Sequence, residues 1–384
     1  MSATLRISLR IFALLAAVLA GALGAQHLGL GYRPFAATSP APYATVEQAQ
    51  YAEAIARARE VAQEILGRGA PGVSVAVAVD GDIAWSEGFG FADLEHRVPV
   101  WPATRFRVGS ISKPLTAAAV ARLVEQGKLD LDAPVQRYVP SFPEKGQPIT
   151  TRLLAGHLAG IRHYRGAEFL INRPYATVTE SLAIFKDDPL VFEPGTRYSY
   201  SSYGWNLISA VVEGAAGTDF LSYMDAEVFA PLGLRHTVAD RNTPIIPQRV
   251  RFYARDRDGK LVNAPYVDNS YKWAGGGFLS TAEDLVRFGS AHLEPGFLRQ
   301  QTIDLLWTSQ RLKSGEETKY GIGWRTELDG KGRRLVSHTG GSVGGTSVLA
   351  IYPERKVVVA ILVNLSGAQL RPADVERIAD AFRP

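Results

Sequence analysis

The spacing of hydrophobic positions changes character three times along the chain. From about Val46 to Leu66 apolar residues recur at helical spacing and the pattern closes at Gly67 and Gly69, which predicts a helix. Val73, Val75, Val77 and Val79 then alternate with smaller residues, and Asp80-Gly81-Asp82 turns the chain into a second strand, Ile83 to Gly88. At the far end, Tyr320 to Thr326, Arg334 to Ser337, Ser347 to Tyr352 and Lys356 to Asn364 read as strands. Pro372 to Phe382 reads as a closing helix with proline in its first turn. Between about 130 and 250 the pattern is helical, near Val178–Phe185, Gly204–Glu213 and Phe220–Phe229, and is broken by Pro and Gly. The expected class is α+β: an antiparallel sheet built from both chain ends and flanked by helices, with an inserted, mostly helical subdomain. A cleft between the two parts is the expected place for a site.

The first residues follow a different rule. Arg6 and Arg10 precede an unbroken apolar run, Ile11 to Ala25, after which the chain turns polar. That is the layout of an export signal, with Ala22-Leu23-Gly24 as its exit, or of a retained membrane anchor. Residues 26–45, rich in Pro, Ala, Ser and Thr from 33 onward, read as a linker, and 46–384 as the folded domain. Either fate of residues 1–25 puts the domain outside the cytoplasm, in the periplasm or anchored facing it, with membrane attachment through the N-terminal segment.

Composition narrows the chemistry. With 46% apolar and 21% charged residues, the chain has material for a sizeable core. The net charge is +4, two units of which come from Arg6 and Arg10, so nucleic acid is not an expected partner. There is no cysteine, which excludes disulfides, thiolate metal sites and cysteine nucleophiles. No histidine pair has zinc-ligand spacing, so no metal and no cofactor are expected.

Three segments carry candidate chemistry. Ser110-Ile111-Ser112-Lys113 follows a short strand-like stretch and opens an apolar helix, Leu115 to Gln126. Ser110 would sit at the helix start, where oriented N–H groups favour an alkoxide, with Lys113 one turn on. Tyr198-Ser199-Tyr200-Ser201-Ser202 packs hydroxyls before the next helix, and Tyr200 could take a proton if nearby positive charge lowered its pKa. His338-Thr339-Gly340-Gly341 ends the strand Arg334 to Ser337, leaving an edge for substrate and the Gly341 N–H, beside that of Ser110, as an oxyanion donor. Each segment alone could be a helix cap, a polar loop or a turn.

In this order the three segments resemble the S-x-x-K, Y-x-N and K-T-G motifs of the serine β-lactamase and penicillin-binding-protein superfamily, class C type. Phe106-Arg107-Val108-Gly109, Lys128-Leu129-Asp130-Leu131-Asp132 and Gly275-Gly276-Gly277 extend the likeness over about 50–384. Gly160-Ile161-Arg162-His163-Tyr164 and Asp187-Asp188-Pro189-Leu190 are similar to the branch holding the mitochondrial serine β-lactamase-like proteins of animals and their bacterial relatives. The resemblance implies acyl transfer to Ser110 with Lys113 and Tyr200 as catalytic partners, and Ser202, His338, Thr339, Gly340 and Gly341 around substrate.

The sequence departs from the family pattern twice: Ser202 stands for the asparagine and His338 for the lysine. A histidine with its ordinary pKa of about 6.5 would hold a substrate carboxylate only when protonated. Efficient β-lactam hydrolysis is therefore less expected than peptidase or esterase activity on a small molecule or peptide. A penicillin-binding protein with weak turnover and a non-catalytic self-assembling scaffold are the alternatives. His157, at the family's H-T-S-G position, reads as structural, and Ser280 with Glu283 as a capping box. A Ser–His–Asp hydrolase would want G-x-S-x-G, and Ser112 stands where its second glycine would be.

Overall fold

The structure, a computed structural model, describes residues 43–383. The expected signal or anchor and most of the expected linker lie outside the described residues. Where the linker was to end and the first helix to begin, Tyr43–Glu47 forms a strand, β1. The helix, α1, spans Ala52–Gly67. Propensity at Val46 and Glu47 yields there to an open sheet edge, because β1 pairs antiparallel with the strand that contains Trp85 and Ser86.

That strand is β3, Asp82–Asp93, joined to β2, Gly72–Val79, by the Asp80-Gly81 turn. At the other end of the chain lie β4, Arg325–Leu328; β5, Arg334–Ser342; β6, Gly345–Tyr352; and β7, Val357–Val363. The sheet order is β1-β3-β2-β7-β6-β5-β4 with antiparallel neighbours throughout, so β2 and β7 join the two chain ends at its centre. Register explains the valine alternation. Val73, Val75, Val77 and Val79 share one face with Val357, Val359, Ile361 and Val363, buried under α1 and the closing helix, Pro372–Phe382. Ala76, Ala78, Val358, Ala360 and Leu362 face the opposite core. Each fully buried valine or isoleucine contributes about 1.5–3 kcal/mol of apolar transfer, so a one-residue slip between β2 and β7 would be strongly disfavoured.

The second face carries the helices that position the site. Helix α2, Ser112–Glu125, is buried along most of its length, and α3, Ser202–Ala216, packs against it in the same core. The segment expected as one helix at Val178–Phe185 is a turn of α-helix, Val178–Ser181, continued by a tighter turn, Leu182–Ile184. That at Phe220–Phe229 is Phe220–Met224 followed by a wider turn, Asp225–Phe229. The helix Ala282–Ser290 is capped by Thr281, whose hydroxyl accepts from Asp284 N, and not by Ser280, which belongs to the short strand Phe278–Ser280. Among the described residues no helix is long and apolar enough to cross a membrane.

Candidate active site

Ser110 lies in a short 3-10 turn, Gly109–Ile111, that leads directly into α2. Two glycines allow the turn to meet the sheet. Gly109 has φ +51°, and a Cβ there would lie 2.6 Å from the Gly341 carbonyl oxygen. A Cβ on Gly340 would lie 2.0 Å from the carbonyl oxygen of Val108. Backbone on both sides is fixed, since Ser347 donates to that same Val108 oxygen at 2.8 Å, so larger residues would drive the nucleophile off β5. Arg107 ties the approach to the other rim. It donates to buried Asp240 at 2.6 Å and to the Val343 carbonyl at 2.8 Å, in the turn between β5 and β6.

Lys113 is fully buried one helical turn beyond Ser110. Its Nζ lies 3.0 Å from Ser110 Oγ and 3.2 Å from Ser202 Oγ, and donates to the Gly275 carbonyl at 2.6 Å. Among the described residues no carboxylate pairs with it. Burial, and secondarily the charge of Lys272, hold the amine well below its ordinary pKa. Tyr200 stands over the pair, its ring centroid 4.9 Å from Lys113 Nζ and its phenol hydrogen-bonded to Ser110. Burial pushes that phenol above its ordinary pKa, the reverse of the shift a resting tyrosinate would need.

Two histidines that sequence reasoning did not place at the site clamp the Tyr200 loop. The Ser201 N–H donates to His157 Nδ1 at 3.1 Å, and the Ser202 N–H donates to His163 Nδ1 at 3.2 Å. His157 is buried with its ring 4.2 Å from that of Tyr200. Arg162 holds the neighbouring wall: it is bidentate to Glu168 at 2.7 and 2.9 Å, reaches Asp188, and donates to the Ile184 carbonyl at 3.0 Å. Tyr203 donates to the same Glu168 at 2.9 Å. The only sequence signal for this clamp was the likeness carried by 160–164 and 187–190.

Ser110, Tyr200, Ser202 and Gly341 line one cleft of about 540 Å³, together with His163, Tyr164 and Phe169. His338, Thr339 and Gly340 are not among its lining residues. They lie within β5, which runs on to Ser342 because Gly340 and Gly341 keep pairing with Ser347 and Thr346. His338 is buried: Nδ1–H donates to the Thr339 carbonyl at 2.7 Å, and Nε2 accepts from the Tyr320 hydroxyl at 2.9 Å. Burial first, then the neighbouring Lys113, lowers its pKa to about 3. The expectation of a histidine titrating near its ordinary pKa is corrected accordingly, because both ring nitrogens are already engaged in a dry environment.

Comparison with known proteins gives this arrangement its relatives. The Beta-lactamase family model matches residues 54–383. The human serine beta-lactamase-like protein LACTB, mitochondrial, is 37% identical over 88% of this chain and 81% of its own length. Penicillin-binding protein 4* of Bacillus subtilis is 27% identical over 76% of this chain and 67% of its own. The octameric penicillin-binding protein homologue from Pyrococcus abyssi superposes with a TM-score of 0.73 at 29% identity, covering 85% of this chain and 76% of that one. A hydroxyl, a buried amine and a phenol gathered at the sheet thus have a family to which the chain belongs: it is a member of the Beta-lactamase family.

Proposed function

We propose that this protein is a serine hydrolase acting through a covalent acyl-enzyme on Ser110, with peptidase or esterase activity. The observation that carries the reading is the buried, carboxylate-free Lys113 amine 3.0 Å from Ser110 Oγ. A lysine held well below its ordinary pKa gives up its proton more readily, which suits it to act as base to the hydroxyl beside it.

Lys113 accepts the Ser110 proton as Oγ attacks the substrate carbonyl carbon, and the carbonyl π electrons move onto oxygen. The oxyanion lies by the turn at Ser110 and β5 at Gly341. Collapse breaks the bond to the leaving group, which takes the Tyr200 phenol proton; Tyr200 recovers a proton from the Lys113 ammonium. Water then attacks the Ser110 ester with Lys113 again as base, releasing acid and restoring the serine. Tyr200 is thus a proton carrier and Lys113 the base, a division supported by the opposite directions in which burial moves them.

β-Lactam turnover fits the site less well, since His338 offers no cation to a carboxylate. Labelling with a fluorophosphonate, then peptide mapping and ester turnover, tests the assignment. Modification should fall on Ser110, and attachment elsewhere or turnover by Ser110→Ala at the wild-type rate would overturn it. We infer export from Arg6, Arg10 and the apolar run to Ala25. Recovery of the chain from the cytosol with Met1 intact would contradict that.

A further inference from the structure

Resting on the acyl-enzyme reading, a further property of the same cleft follows from its walls. Among the described residues its lining includes no Asp, Glu, Lys or Arg. Most of the surface is apolar or aromatic, from Tyr164, Phe169, Leu170, Tyr200 and Val343. The nearby ammonium of Lys272 is shut behind that wall, 4.4 Å from the Phe169 ring centroid and 5.2 Å from that of Tyr271. Lys113 is buried beneath Ser110 and is not part of the lining. The cleft therefore offers no fixed charge to a substrate carboxylate or ammonium, and moving either group into it would forfeit hydration without return.

One polar side chain stands out in this wall. His163 is exposed within the cleft, its ring 4.5 Å from Tyr164 and 5.7 Å, edge-on, from Tyr200. Its tautomer is set by its neighbour. A backbone N–H can only donate, so the contact from Ser202 N makes Nδ1 the acceptor and leaves the proton on Nε2. No acceptor among the described residues takes that Nε2–H. The ring is held by its other nitrogen and by two aromatic faces, so the donor is preorganised before anything binds.

We propose that the cleft selects uncharged acyl groups that carry a carbonyl acceptor, and that His163 Nε2–H is the donor that orients this carbonyl. N-acylated amino-acid and peptide esters or amides are the matching substrate class; free amino acids and carboxylate-bearing acyl groups are not. His163 is a specificity-determining residue through Nε2, in addition to holding the Ser202 N–H through Nδ1.

The test uses four p-nitrophenyl esters of similar size: N-acetylphenylalanine, 3-phenylpropionate, phenylalanine with its free amine, and a phenylsuccinate half-ester. The wild-type protein should favour the N-acetyl ester over the phenylpropionate by about tenfold in kcat/KM, the worth of one net hydrogen bond. Both neutral esters should exceed both charged ones. Any loss through the Ser202 N–H that His163 holds falls on both neutral esters alike, so His163→Phe should lose about tenfold more on the N-acetyl ester than on the phenylpropionate, and His163→Gln should recover part of that difference because an amide N–H can replace the donor. Equal losses on the two neutral esters, or preference for a charged ester, would overturn the proposal. Should His163→Phe not fold, the wild-type series decides by itself: no preference for the acetamido group refutes the donor role. Fluorophosphonate labelling keeps the two readings apart. A labelled enzyme without the expected preference refutes this inference alone, whereas no labelling refutes the acyl-enzyme beneath it.

Discussion

Lys113 on α2 and His338 on β5 both lie near the ring of Tyr200, and burial shifts both away from their charged forms. Lys113 Nζ is 4.9 Å from the Tyr200 ring centroid, and the His338 ring centroid is 6.3 Å from it. Each is moved away from its charged form chiefly by burial. The consequences are opposite. An amine without its proton is a base, and two hydroxyls lie within reach of it. An imidazole without its second proton, with Nδ1 donating to Thr339 and Nε2 accepting from Tyr320, has nothing left to offer substrate. Desolvation therefore creates reactivity only where a group keeps an unengaged lone pair beside a reacting atom.

The most severe way to break this comparison is to restore permanent charge on the α2 side. Lys113→Arg places an always protonated guanidinium in a dry site, and hydrolysis should fall on the order of 10⁴-fold, about as far as in Ser110→Ala. Ester turnover by the two variants against wild type checks this. An arginine variant within tenfold of wild type would mean that charge, and not a removable proton, is what Ser110 needs. Ser110→Ala should leave the thermal midpoint nearly unchanged, since the serine side chain caps no helix here.

A smaller effect sharpens the account of Lys113. Lys272, buried against Tyr164, Phe169 and Tyr271, is lowered to about 7 by burial and then by Arg107, with Asp240 opposing. Its unfolded value is about 10.4, so the folded state binds fewer protons between pH 7 and 10. The penalty of the buried ammonium is fully present below pH 7 and fades as pH rises through this window. Lys272→Met should raise the thermal midpoint most at or below pH 7, with the gain shrinking by pH 10. Because Lys272 also lowers Lys113, the acid limb of the kcat/KM profile should move to higher pH in the same variant. A gain in midpoint independent of pH would show that Lys272 is not held as a costly buried cation.

Much of this was legible before the structure. The valine alternation, the turn at Asp80-Gly81 and the strand-like runs at the far end identified a sheet made from both ends, because period and turn chemistry are local properties. Ser110 and Lys113 were legible as a pair because helical spacing places them on one face. The histidine clamp was not. His163 meets Ser202 across 39 positions of chain, and its tautomer depends on a backbone N–H whose direction only the fold fixes. The fate of His338 was hidden for the same reason: it rests on Tyr320, a residue read only as the start of a strand. Of the carboxylates that pin Arg162, Asp188 entered only within the likeness at 187–190, and Glu168 carries no pattern of its own.

The smallest expected effect is a flat line, and it tests the β5 side of the comparison. A histidine at its ordinary pKa would make binding of a carboxylate ester weaken as pH rises through about 6.5. With His338 lowered to about 3, the ring of the free protein is neutral across the working pH range. KM for a carboxylate-bearing ester should therefore track KM for its neutral analogue from pH 5 to pH 8, within about twofold after both are referred to the same acid limb. Tyr320→Phe sharpens the reading. Losing the hydroxyl frees Nε2 of His338 without adding charge, so the pH profile should stay flat while the midpoint drops by the equivalent of about 1 kcal/mol for one buried hydrogen bond. A selective rise in KM for the anionic ester near pH 6.5 in the wild-type protein would put a titrating cation at His338. The two sides of Tyr200 would then differ in kind and not only in what their lone pairs can reach.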